Sequence, residues 1–120
     1  MHFSRQAQVL LQDGSYIGNL SVATHYGVAG SPGGGPYFEL WLLVGEDDVI
    51  ARAKFASVGC PTSRVIGNTL CRIIETRNQS ILDNFDTETL TTLVGCVPEG
   101  KEHLLTLAAQ AIRSIEEIDN

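Results

Sequence analysis

The sequence is short of cysteine, of basic residues and of long apolar runs, and each shortage excludes something. Only three cysteines occur in 120 residues, Cys60, Cys71 and Cys96, and no two of them form a C-x-x-C pair. An odd and scattered set of this kind argues against a disulfide framework and against a zinc finger or ribbon. Lys and Arg number 8 against 14 Asp and Glu, for a net charge of -6. No basic run is available to track phosphates, so no nucleic-acid partner is expected. The longest apolar run, Leu40 to Val44, falls far short of a membrane span. The start, Met1-His2-Phe3-Ser4-Arg5-Gln6, has no charged segment leading into an apolar signal core. A cytoplasmic protein with no membrane partner is the simplest expectation, and the sequon Asn78-Gln79-Ser80 is then silent. G-K-[ST] is missing too, so the glycine-dense stretch is not read as a nucleotide loop.

What is present is enough for one domain spanning residues 1–120, since 43% hydrophobic residues suffice for a core without staples. Ser4 to Gln12 reads as a short helix, with Ala7, Leu10 and Leu11 near one face. Leu20 to Tyr26 reads as a first strand. The stretch Gly27 to Pro36 holds Gly30, Gly33, Gly34, Gly35, Pro32 and Pro36, which predicts a loop. From Tyr37 to Val44 the chain alternates, with Phe38, Leu40, Leu42 and Val44 on one face. Gly45 to Asp48 is a polar turn. Val49 to Val58 alternates again, with Val49, Ala51, Ala53 and Phe55 set against Ile50, Arg52 and Lys54. The two runs predict an antiparallel hairpin.

The period then changes to that of a helix. Pro61 suits a first helical turn, and Val65, Ile66, Leu70, Ile73 and Ile74 follow at helical spacing. Asp86 reads as the N-cap of a short helix through Leu93. Pro98 and Glu99 read as the opening of a last helix, with an apolar stripe of Leu104, Leu107, Ala108, Ala111, Ile112, Ile115 and Ile118. Strands first and helices after predict an α+β fold: a small antiparallel sheet of about three strands with helices packed on one face.

Three ordered motifs carry a resemblance. Ala53-Lys54-Phe55-Ala56-Ser57-Val58-Gly59-Cys60 resembles A-K-F-x-T-F-G-C. Gly30-Ser31-Pro32-Gly33-Gly34-Gly35-Pro36 resembles G-A-P-x-C-G-D. Lys101-Glu102-His103-Leu104 resembles K-x-H-C, with Ala111-Ile112 matching a following A-I. Together they resemble the U-type iron–sulfur cluster scaffold family (IscU, SufU and the N-terminal domain of NifU) from about Ser4 to Glu116. The resemblance implies an IscU-like fold. It also implies a role as a non-enzymatic scaffold or carrier, whose partners are a cysteine desulfurase and cluster acceptors.

Carried over residue by residue, the ligand set of that family is incomplete. Cys60 falls on its middle cysteine, and His103 on the histidine beside its last cysteine. Its first cysteine falls on Gly34, its ligand aspartate on Pro36 and its last cysteine on Leu104. The metal candidates are therefore Cys60 and His103, with His25 as a third ligand from ahead of the glycine loop. A symmetric dimer supplying two ligands from each chain is another route. The implied cargo is iron, a [2Fe–2S] cluster or zinc, with no metal at all as an equal alternative. Cys96, seven residues before His103, joins only if its loop folds inward. Cys71 falls near the apolar face of a helix and reads as packing. Lys101 matches a lysine of the family's L-P-P-V-K chaperone motif, here Val97-Pro98-Glu99-Gly100-Lys101, and is the candidate partner-binding residue.

Two further roles follow from the same residues. One is a cluster-free interaction or regulatory module that keeps the fold and binds a partner such as a cysteine desulfurase. The other is an enzyme with Cys60 as nucleophile and His103 as base, which lacks a third, orienting group.

Overall fold

A computed structural model describes residues 16–58, 60–95 and 97–118. The expected helix over Ser4 to Gln12 and the residue Cys96 lie outside them. In chain order the elements are strands β1 (His25–Gly30), β2 (Tyr37–Val44) and β3 (Ile50–Ser57), helix α1 (Pro61–Ile74), a 3₁₀ turn (Gln79–Asn84), helices α2 (Thr87–Val94) and α3 (Glu102–Arg113), and the two-residue strand β4 (Glu116–Glu117). The sheet order is β3-β2-β1-β4, and every pairing is antiparallel. The α+β expectation holds, with β4 as a short fourth strand that sequence periodicity does not reveal.

The core lies between one sheet face and the helices. Phe38, Leu40, Leu42, Ala53 and Phe55 from the sheet meet Val65, Ile66, Leu70 and Ile74 of α1, Leu90 and Val94 of α2, and Leu104, Ala108, Ala111 and Ile112 of α3. The rings of Phe38 and Phe55 stack at 5.6 Å. Each large side chain buried here contributes about 1.5–3 kcal/mol relative to exposure. The opposite sheet face carries Tyr26, Glu39 and Trp41, with the Tyr26 and Trp41 rings 5.4 Å apart.

Three expectations need correction. The first strand is His25–Gly30, not Leu20 to Tyr26, so Gly27 belongs to a strand rather than a loop. A Cβ on Gly27 would run into the Ala111 carbonyl of α3, so this glycine lets the helix backbone lie directly on the sheet. In β3 the alternation is broken: Ile50, Ala53 and Phe55 are buried, while Ala51 and Arg52 are exposed. Leu43 pairs with Arg52 but Val44 pairs with Ile50, leaving Ala51 as the extra residue of a β-bulge that reverses the faces. The last helix starts at Glu102 rather than Pro98. Lys101 donates its backbone N–H to the Pro98 carbonyl across a turn, and Gly100 there has φ +86°, which no helical residue adopts. The helix ends at Arg113, so Ile115 and Ile118 lie beyond it. Leu105 and Ala109, outside the expected stripe, are buried, because α3 is covered by the sheet on one side and by α1 and α2 on the other.

Candidate functional site at the N-terminus of helix α1

Cys60 is the last residue before α1. Its backbone is extended (φ -78°, ψ 157°) and Pro61 occupies the first helical turn, where its missing N–H leaves no bond unmade. β3 ends at Ser57, and Cys60 stands at the positive end of a helix of 14 residues. The thiol is half-buried. It donates to the Ser63 hydroxyl at 3.5 Å. That hydroxyl donates to the Cys60 carbonyl at 2.9 Å and accepts from the Ser57 hydroxyl at 3.0 Å. Ser63 is 1% exposed, so this small network is fixed by packing.

Burial pushes the Cys60 thiol up, but the net direction is down. The Ser63 hydroxyl, the backbone N–H groups of Ser63 and Thr62, and the Lys101 ammonium together outweigh it. Lys101 sits at the entry to α3, just after the Gly100 turn, and its charge reaches the Cys60 thiol. His103 is exposed in the first turn of the same helix and so belongs to this end of the molecule. Cys71, by contrast, is fully buried in α1, and burial pushes its thiol well up. It is a packing residue.

The strand register places the other candidates. Ser57 pairs with Phe38, and Gly30 pairs with Tyr37, so the loop Ser31 to Pro36 lies at the Cys60 end. His25 pairs with Leu42 at the far end of β1, about 17 Å from Gly30 at ~3.4 Å per residue. Its Nδ1 is 2.8 Å from the Thr24 hydroxyl, which also accepts the Val44 N–H. The structure therefore separates His25 from Cys60 rather than joining them. Among the described residues, no three His, Cys, Asp or Glu side chains gather closely enough to hold a metal ion. The donor set of Cys60 and His103 is too small for tetrahedral zinc or for a cluster.

Sequence reasoning missed two features here. Ser63 carries no motif signal, although its spacing of three from Cys60 places it on the same helix face. A polar groove of about 990 Å³ opens at the opposite end, among His25, Asp48, Asp83, Arg113 and Glu117, and those residues are too far apart in sequence to be read as a group. It contains no thiol. The cavity beside Ser57, Tyr37 and Arg64, at the Cys60 end, is about 340 Å³.

A family model, the NifU-like N terminal domain, matches residues 4–116. The chain belongs to that family. Among solved structures, an iron–sulfur cluster assembly scaffold protein for the SUF system from Fervidobacterium islandicum AW-1 superposes with a TM-score of 0.66 at 15% identity, over 92% of this chain and 93% of that one. The N-terminal part of a NifU-like protein from Brucella abortus gives a TM-score of 0.56 at 13% identity, over 92% and 77% of the two chains. At these identities the likeness is one of fold. No curated protein matches the chain. No helix among the described residues of this family member is long and apolar enough to cross a membrane.

Proposed function

We propose that this NifU-like domain serves iron–sulfur cluster assembly through its Cys60 end, where it meets a cysteine desulfurase and receives sulfur. The observation that carries the reading is a half-buried thiol at a helix N-terminus, within reach of the Lys101 charge, at the position where the family motif has a cysteine. A thiolate in that setting is a nucleophile. The step it supports is sulfane transfer. Cys60 sulfur attacks the terminal sulfur of the desulfurase persulfide, forming a new S–S bond. The donor's S–S bond breaks and its cysteine leaves as a thiolate. The terminal sulfur keeps its proton, and no net oxidation occurs. Lys101 offsets negative charge at Cys60 throughout.

The test uses the whole chain, a cysteine desulfurase of a U-type assembly system, and free cysteine. Intact-mass and peptide mass spectrometry should find one added sulfur atom on Cys60, absent in Cys60→Ala and reduced in Lys101→Gln. Absence of both desulfurase binding and added sulfur on Cys60 would sink the proposal. The reading as a cluster-free module is favoured by Leu104, which is 3% exposed where the family places a ligand. Binding of the desulfurase without sulfur transfer would select it.

A further inference from the structure

We infer that this chain does not hold a [2Fe–2S] cluster with its own side chains, and that three side-chain positions, not the fold, exclude it. This rests on reading the Cys60 end as the cargo end. Such a cluster takes about four ligands, mostly thiolates. Among the described residues, Cys71 is shut inside the core, and Cys60 is the thiol presented at this end. The described residues bring together no set of three candidate ligands anywhere.

The three positions fail for different physical reasons. Gly34 has no donor, yet its backbone would accept one. A Cβ there would meet only Ser31, at 3.6 Å from its side chain and 3.8 Å from its carbonyl, which is ordinary contact. Pro36 presents a ring in place of a carboxylate, and its carbonyl is already held by the Ser31 N–H at 3.2 Å. Leu104 is turned inward with the core residues of α3. An apolar side chain therefore closes the place from which a donor would reach out. Meanwhile the register still brings the loop, the start of α1 and the start of α3 to one end. The loss lies in the ligands, and the frame that would carry them is intact. What remains suits a cargo needing one thiolate and a neighbouring cation, such as sulfane sulfur.

The experiment is anaerobic incubation of the full chain with ferrous iron and sulfide, then desalting, with iron per chain and the visible absorption band as readouts. The wild type should remain colourless, without stoichiometric iron. The Gly34→Cys/Pro36→Asp/Leu104→Cys variant should retain about two irons per chain and a visible band. Adding Cys60→Ala to it should abolish both. Leu104→Cys removes core volume, so Gly34→Cys/Pro36→Asp is the second variant. It leaves Leu104 in place and adds a thiol and a carboxylate to Cys60 and His103. A wild-type cluster lost in Cys60→Ala would overturn the inference while leaving the cargo-end reading standing. If the triple variant folds by circular dichroism and stays iron-free, the assignment to these positions is overturned; where it does not fold, a folded double variant that retains no more iron than the wild type overturns it. Failure of the proposed function is read separately, as absence of desulfurase-dependent sulfur on Cys60.

Discussion

Cys60 and Cys71 are the same residue type eleven positions apart, and their surroundings give them opposite chemistry. Cys60 has a helix N-terminus, Ser63 and Lys101; Cys71 has only the core and the Glu75 charge. Iodoacetamide alkylation of Cys60 in a Cys96→Ser background should therefore reach its half-maximal rate at a lower pH than free cysteine. Ser63→Ala and Lys101→Gln should each move that profile upward. An unchanged profile in both variants would remove the electrostatic account. Cys71 should react only after unfolding. Tyr26 supplies an independent check at the same scale. Burial first, then its hydrogen bond to Glu39 and that residue's charge, push its phenol up to about 12. A phenol with a raised folded value contributes stability that is complete below the unfolded value of about 10 and lost as pH rises through about 12. Ultraviolet titration should show one late-ionising tyrosine, which returns toward the ordinary range in Glu39→Gln.

Helix α1 shows how an element's sequence can mislead about a substitution. Gly67 lies in its interior, where alanine ordinarily stabilises by about 1 kcal/mol. A Cβ there would run into the Phe55 ring, which is 1% exposed and stacked on Phe38. Gly67→Ala should instead destabilise by about 1–3 kcal/mol, the range for overpacking, as read by urea denaturation. Equal or greater stability would mean that the ring moves freely. Helix α2 behaves as its sequence suggests. Asp86 accepts the Thr89 N–H at 2.8 Å, and that bond holds its carboxyl below the usual value. Its contribution is present above the unfolded carboxylate range and is lost as pH falls through the lowered value. Asp86→Ala should thus lower the melting temperature at neutral pH, with a gap that closes in acid. The onset of α1, the Asp86 cap and the span of β2 were all legible, because proline, capping residues and alternation act within a few residues. The start of β1 was not. Gly27 reads as a loop until α3, more than eighty residues away, is seen to lie on it.

Across the whole molecule the sheet separates two ends. One holds Cys60, Lys101, His103 and the glycine loop; the other holds His25 and the polar groove. His25→Ala should leave both Cys60 alkylation and desulfurase-dependent sulfur transfer unchanged, whereas Lys101→Gln should alter both. A His25 effect equal to that of Lys101 would contradict the register. Composition, periodicity and three motifs were sufficient by themselves for the α+β class and for family membership. These depend on local preferences and on residue types at fixed spacing. Only the tertiary structure decided the rest. The bulge at Ala51 reverses one face of β3. The register sends His25 away from Cys60, while the Lys101 charge, just after the Gly100 turn, reaches that thiol. Each of these depends on how distant segments pair and pack, and a side chain's charge or exposure is set by neighbours that the chain order does not name.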